Sequence, residues 1–277
     1  MAMALLAMLG MGGCQTAGPD RLKKIDHIVV VYLENRSFDN LYGLFPGANG
    51  LAQADGAAVQ VDKDGKPYAV LPAVMNTNKK PTVIDDRFPK DLANKPFDIG
   101  KYVPLDQMTG DLVHRFYQEQ QQIDDGKMDK FALYSDAGGL VMGYYDASTT
   151  ELWTYAQKYT LADNFFHGAF GGSFLNHIYL VCACAPKYPN APADMVAQLD
   201  ADGMLLKDAP ITPDGYAVNT VQTSYQPHSA KITDPAKLLP PQDGVTIGDR
   251  LSEKGVSWAW YSGGWNDALA GKPDELF

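Results

Sequence analysis

Residues 24–43, KIDHIVVVYLENRSFDNLYG, decide the fold class. Positions 27–33 form a continuous β-branched and aromatic run bounded by polar residues. That is the pattern of a central strand covered on both faces, not of an alternating, half-solvated one. Glu34 and Asn35 follow the run directly, and in open α/β sheets ligands gather beyond the C-terminal ends of the strands. Ser37 then stands where it can cap a short helix opening with Phe38 and Asp39.

Outward from this run, the next informative stretch is 159–179, YTLADNFFHGAFGGSFLNHIY. A second strand over 160–166 delivers the chain to Gly171-Gly172-Ser173, and the apolar stretch beyond carries Asn176 and His177. A helix starting at Ser173 offers free backbone N–H groups and its positive dipole end to an anion such as phosphate. Between the two strands, 111–122 suits a helix with Leu112, Val113, Phe116 and Tyr117 on one side, His114 off that stripe and Gly126 as its stop. Ser148-Thr149-Thr150-Glu151 has capping-box spacing and opens another helix to about Lys158. Strand, helix and strand again make a mostly parallel α/β sheet. Near the end, 245–251 fits a short helix and 256–261, VSWAWY, alternates like a strand. Residues 44–105 and 186–245 are rich in Pro, Gly, Asn or Asp and read as excursions, the second as an insertion or lid. One hairpin is expected, with strands near 57–61 and 67–71 turning at Asp64-Gly65. Asp62-Lys63-Asp64-Gly65 lacks the spacing of a calcium loop.

With 277 residues, 45% of them hydrophobic, the chain has enough apolar side chain for one large core or two small ones. A formal charge of −10 without a basic stripe excludes an extended nucleic-acid footprint. Residues 1–20 read as a leader and linker: MAMALLAMLGMGGC is apolar but too short to span a bilayer, and resembles a secretory signal. The expected location is therefore outside the cytoplasm: periplasmic, secreted or lipid-anchored to the envelope. Met11-Gly12-Gly13-Cys14 is similar to a bacterial lipoprotein cleavage box, which makes Cys14 a lipidation candidate, with ordinary signal cleavage as the equal alternative. Cys182 and Cys184 are two apart, a spacing at which helical side chains do not face each other, so buried free thiols are expected.

Two chemical motifs fail in part. Gly168 to Ser173 has neither the lysine nor the spacing of a nucleotide P-loop. Gly171-Gly172-Ser173-Phe174-Leu175 matches a hydrolase nucleophile elbow until Leu175 replaces the final glycine, leaving acyl transfer as a minor alternative. What remains is Glu34-Asn35 after one strand and Ser173, Asn176 and His177 after another, at the same sheet edge. A carboxylate and an amide oxygen are hard ligands suited to a divalent cation, and such an ion near Ser173 favours the alkoxide. The helix N-terminus, Asn35 and histidines then supply donors for in-line attack on phosphorus. Asn176 and His177 are read as orienting the turn by hydrogen bonds, and His27, His167 and His228 as structural or surface residues.

These residues resemble a known family. Residues 24–43, then Leu161-Ala-Asp-Asn-Phe-Phe166 through Gly172-Ser173 to Asn176-His177, then Trp258-Ala-Trp-Tyr261 are similar, in that order, to the bacterial phosphoesterase family of secreted acid phosphatases and nonhemolytic phospholipases C. The resemblance implies an alkaline-phosphatase-like fold, an α/β three-layer sandwich around a mostly parallel sheet. It implies that Glu34 and Asn35 bind a divalent metal, that Ser173 is nucleophile and metal ligand, and that His114 contacts phosphate. Serine at that position is more similar to the acid phosphatase branch, since the phospholipase branch commonly carries threonine. Family members continue beyond the Trp-Tyr segment with further histidines and an acidic pair that completes the metal site. Residues 21–277 are thus expected to be the N-terminal portion of the catalytic domain, completed by the C-terminal remainder of the same enzyme. The expected activity is exported, metal-dependent hydrolysis of phosphoric esters through a phosphoserine, on a small phosphate ester or a phospholipid. A phospholipase C acting on head groups is one alternative, and a truncated, non-catalytic surface lipoprotein is another.

Overall fold

A computed structural model describes residues 24–272, apart from positions 55, 57, 58, 226, 227, 230 and 262. The leader, including Cys14, lies outside the described residues. The chain divides into two compact units, Met1–Asn35 and Arg36–Phe277.

In the described part of the first unit, residues 25–34 have no regular secondary structure. Ile28 is 84% exposed and Val29 82%, so the strand expected over 27–33 does not form here. The run has the composition of a covered strand, but a strand exists only where neighbours take up its N–H and C=O groups. Asn35 has φ 70°, left-handed backbone that Asn tolerates better than most residues.

The second unit is a mixed α/β structure with small sheets. Its helices are α1 Phe38–Tyr42, α2 Phe116–Ile123, α3 Phe131–Tyr134, α4 Glu151–Lys158, α5 Ser173–Cys182, α6 Ile247–Glu253 and α7 Trp265–Leu269. Its strands pair two by two: β1 Met75–Asn76 with β2 Val83–Ile84 antiparallel, β3 Phe97–Asp98 with β4 Gly143–Tyr144 parallel, and β5 Gln198–Leu199 with β6 Leu205–Lys207 antiparallel. In place of the hairpin over 57–71, a single antiparallel bridge joins Val61 to Pro67 around the Asp62–Lys66 turn.

Local chemistry explains where the helices begin. Ser37 Oγ accepts the Asn40 N–H at 3.2 Å and starts α1. Thr150, not Ser148, caps α4 by accepting the Trp153 N–H at 3.3 Å, with Glu151 in the first turn and Lys158 in the last matching the dipole. Thr246 and Asp249 form a reciprocal capping box that starts α6. The α4 face buries Trp153, whose ring stacks on Tyr42 at 5.8 Å and meets Phe45 at 4.8 Å, tying α1 to α4.

The strands expected over 160–166 and 256–261 are also absent. Asp163-Asn164 is a turn instead: Asp163 Oδ2 accepts the Asn49 N–H at 2.8 Å, and Asn49 Nδ2 donates to Asn164 Oδ1 at 3.2 Å. Phe165 and Phe166 are left 85% and 80% exposed. After α6, Trp258 folds back so that Nε1–H donates to Ser252 Oγ at 3.0 Å. Its ring occupies the space over Gly248, where an added Cβ would lie 2.4 Å away.

The buried clusters come from the irregular segments. Leu71, Val74, Phe88, Ile99, Val103, Leu140 and Tyr145 form one; Met195, Ile211, Ala217, Val221 and Leu239 form a second. A third, Tyr117 with Ala197 and Ala209, packs α2 against the segment carrying β5 and β6. Polar side chains hold these loops. Asn94 Oδ1 accepts the Gln60 N–H while its Nδ2 donates to the Gln60 and Tyr68 carbonyls. No helix among the described residues is long and apolar enough to cross a membrane.

The two thiols near α5 correct the sequence reading: Cys182 and Cys184 form a disulfide. The helical-spacing argument fails because α5 ends at Cys182. Ala183 then takes left-handed backbone, φ 50° and ψ 38°, and turns Cys184 back to a Cα–Cα distance of 5.2 Å, within disulfide reach.

Candidate active site

The segment expected to be helical from 111 splits in two. Residues 111–115 have no regular secondary structure and α2 starts only at Phe116, because polar contacts from elsewhere claim this backbone. Thr77 Oγ1–H donates to the Asp111 carbonyl at 2.5 Å, Asp136 Oδ1 accepts the Val113 N–H at 2.8 Å, and Asn219 Oδ1 accepts the Phe116 N–H at 3.0 Å. Arg115 Nε donates to Asp208, which also accepts Gln118 Nε2–H at 3.0 Å. The start of α2 is therefore fixed from several sides.

His114 lies in this irregular piece, just before the N-cap Arg115. Its Nδ1 is 2.6 Å from the Leu112 carbonyl. A carbonyl only accepts, so Nδ1 carries the hydrogen. Nε2 is then an acceptor when the ring is neutral and a donor when it is charged. The ring lies against Gly172: a Cβ there would come within 2.7 Å of both His114 Cδ2 and the His114 carbonyl oxygen, and 3.6 Å of Nε2. Glycine at 172 is what lets the imidazole approach the residue before Ser173. Gly171, with φ 109°, makes the turn that brings the chain there.

Ser173 is the first residue of α5, with Gly172 as its N-cap, and is half-buried. The first helical hydrogen bond runs from Asn176 N–H to the Gly172 carbonyl, so the N–H groups of Ser173, Phe174 and Leu175 have no partner within the helix. Asn176, 7% exposed, holds the turn from inside. Its Nδ2 donates to the carbonyls of Gly171 and Gly172 at 3.1 and 3.3 Å, and its Oδ1 accepts the Ala169 N–H at 3.3 Å. His177 follows it on α5, half-buried.

A residue that the sequence reading did not single out completes this group. Glu119, in the first turn of α2, accepts the Gly171 N–H on Oε2 at 2.7 Å. Burial pushes its carboxyl up from the ordinary carboxylate range, while the Gly171 N–H and the charges of His114 and His167 pull it back. Nothing in the sequence marks it, since a Glu among glutamines on a short helix reads as a solvated face. A cavity of about 550 Å³ lies elsewhere, lined by residues including Gly43, Phe45, Leu51, Asn94 and Tyr144.

Glu34 and Asn35 belong to the other unit, where both are exposed. With Ser173 they supply one carboxylate, one amide oxygen and one hydroxyl. These are hard-ion donors, but too few to fill the six or more positions of a divalent cation such as Mg²⁺ or Ca²⁺. No group of three or more His, Cys, Asp or Glu side chains able to hold a metal occurs among the described residues. These residues do not by themselves fit a complete metal site.

A search of curated proteins returns no match to this chain. The family model described as "Phosphoesterase family" matches residues 25–275, a span containing Glu34, Asn35, His114, Glu119 and the whole Ser173 turn. The chain belongs to the Phosphoesterase family.

Proposed function

We propose that this chain performs its family's chemistry, hydrolysis of phosphate esters, through Ser173, by way of a phosphoserine, on small phosphate monoesters as an acid phosphatase does. The observation that carries this reading is the Ser173 turn. A hydroxyl stands at the open N-terminus of a ten-residue helix, behind two glycines fixed by Asn176 and Glu119, with the His114 imidazole against the second glycine.

The phosphoryl oxygens take the N–H groups of the first turn of α5, where the dipole favours negative charge. Ser173 Oγ attacks phosphorus, the bond from phosphorus to the ester oxygen breaks, and the alcohol leaves. Water then attacks the phosphoserine, releasing phosphate and restoring the hydroxyl. His114, with Nδ1 committed to Leu112, donates from Nε2 to a phosphoryl oxygen when the ring is charged. Asn176 keeps both glycine carbonyls turned away from the anion.

The family is generally metal-dependent, and a divalent ion would supply Lewis-acid stabilisation of the serine alkoxide. Glu34 and Asn35 stay its proposed carboxylate and amide ligands on the sequence resemblance alone. The alkaline-phosphatase-like three-layer arrangement, export and lipidation at Cys14 are part of the same proposal, supported by the sequence resemblance alone.

In the full chain, Ser173→Ala is expected to lower hydrolysis of a small aryl phosphate by at least about 10³-fold, with an unchanged circular-dichroism spectrum. Turnover equal to wild type would refute the nucleophile assignment. Faster hydrolysis of phosphatidylcholine than of small monoesters would move the substrate to the phospholipase C branch.

A further inference from the structure

Glu119 has no chemical task in the proposed reaction, although its hydrogen bond to the turn is shorter than those of Asn176. Its carboxylate takes the Gly171 N–H at 2.7 Å in a half-buried position. The helix that carries it is anchored by Asp208, by Asn219 and by the buried Tyr117 cluster, so the carboxylate does not drift with a loop. Gly171 is confined from the opposite side as well, its missing Cβ lying 3.3 Å from the Val218 carbonyl oxygen. His114, five residues earlier on the same segment, lies against Gly172. One stretch, 114–119, thus grips two consecutive residues before Ser173, one by an imidazole and one by a carboxylate.

We propose that Glu119 is a positioning residue for phosphate-ester hydrolysis: it holds the Gly171 amide and thereby sets the entry of Gly172 and Ser173 into α5 against His114. The proposal rests on the reading of Ser173 as nucleophile. A charge-assisted hydrogen bond to such a part-buried amide outweighs a neutral one about twofold and restricts the backbone it holds. Loss of that restraint loosens the serine relative to the helix N–H groups without removing either. The cost therefore falls on the chemical step and not on substrate binding.

The test uses the full chain with Glu119→Ala and Glu119→Gln, beside Ser173→Ala. Glu119→Ala is expected to lower kcat by about tenfold or more, the size of one charge-assisted hydrogen bond, with little change in KM. Glu119→Gln keeps an oxygen acceptor for Gly171 and is expected to recover most of that loss. Wild-type kcat in Glu119→Ala, with Ser173→Ala inactive, would overturn the positioning role and leave the nucleophile standing. A readout that needs no turnover separates the two readings. Amide exchange at Gly171, followed by ¹⁵N NMR, is expected to quicken by about tenfold or more in Glu119→Ala but not in Glu119→Gln. Unchanged exchange in Glu119→Ala would overturn the proposal even if Ser173 proved not to be the nucleophile.

Discussion

Two kinds of segment in the Arg36–Phe277 unit invert the usual expectation. The runs that read as strands, 160–166 and 256–261, stand largely exposed, with Phe165 at 85% and Tyr261 at 92%. The stretch 44–105, rich in Pro, Gly, Asn and Asp and read as an excursion, contains Ile99 at 1% and Val103 at 0%. The difference lies in who satisfies the backbone. In the irregular stretch individual side chains do so: Asn94 holds Gln60 and Tyr68, Asp85 holds Arg87, and Gln60 Oε1 takes the Ala132 N–H at 3.1 Å. A strand-like run depends instead on a whole neighbouring strand aligned beside it. The Ser173 turn follows one of the exposed runs but is built in the second manner, by Glu119, Asn176 and His114.

This contrast can be broken most directly by hydrogen exchange. The amides of Leu71 and Asp85, bonded to the Leu92 and Val74 carbonyls, are expected to exchange slower than unprotected chain by about 10³-fold or more. Those of Phe165, Phe166 and 257–260 are expected to exchange at nearly the unprotected rate. Protection of these runs equal to that of Leu71 would mean that they pair in solution and would remove the contrast.

A smaller effect sharpens it. Asp85, 4% exposed, accepts Arg87 Nε–H at 2.8 Å and Nη2–H at 2.6 Å. The Arg87 side chain, and then its backbone N–H, hold the Asp85 carboxyl below the usual carboxylate range. A folded pKa lower than the unfolded one gives stability that is present above the unfolded value, about 3.9, and is lost as pH falls through the folded one. Asp85→Asn is therefore expected to cost about 1–3 kcal/mol at neutral pH by urea denaturation. The gap from wild type should narrow below about pH 4. An equal midpoint at neutral pH would show that the clasp does not hold this region.

What the sequence made legible is what a few neighbouring residues determine. The caps at Ser37 and near Thr150 and the helix opening at Ser173 all follow from contacts within one turn. The apolar stripe at Leu112 and Val113 misplaced the start of α2, because Asp136 and Asn219, far along the chain, claim its backbone. The strand-like runs were legible only as a capacity to pair, since composition does not say which neighbour lies alongside. Cys182 and Cys184 were misread because the argument assumed a helix through Ala183, which turns left-handed instead. In the candidate site, Ser173, Asn176 and His114 were legible from the glycine pair and the family resemblance. Glu119 was not, since its importance arises 52 residues away in sequence, at Gly171.

The central claim is that Ser173 receives the phosphoryl group. The most direct measurement is acid quenching of the full chain during turnover of a ³²P-labelled phosphate monoester, followed by mapping of the labelled peptide. Label on the peptide containing Ser173 in the wild-type protein, and none in Ser173→Ala, is the predicted result. Label on a different residue, or turnover of Ser173→Ala at the wild-type rate, would contradict it.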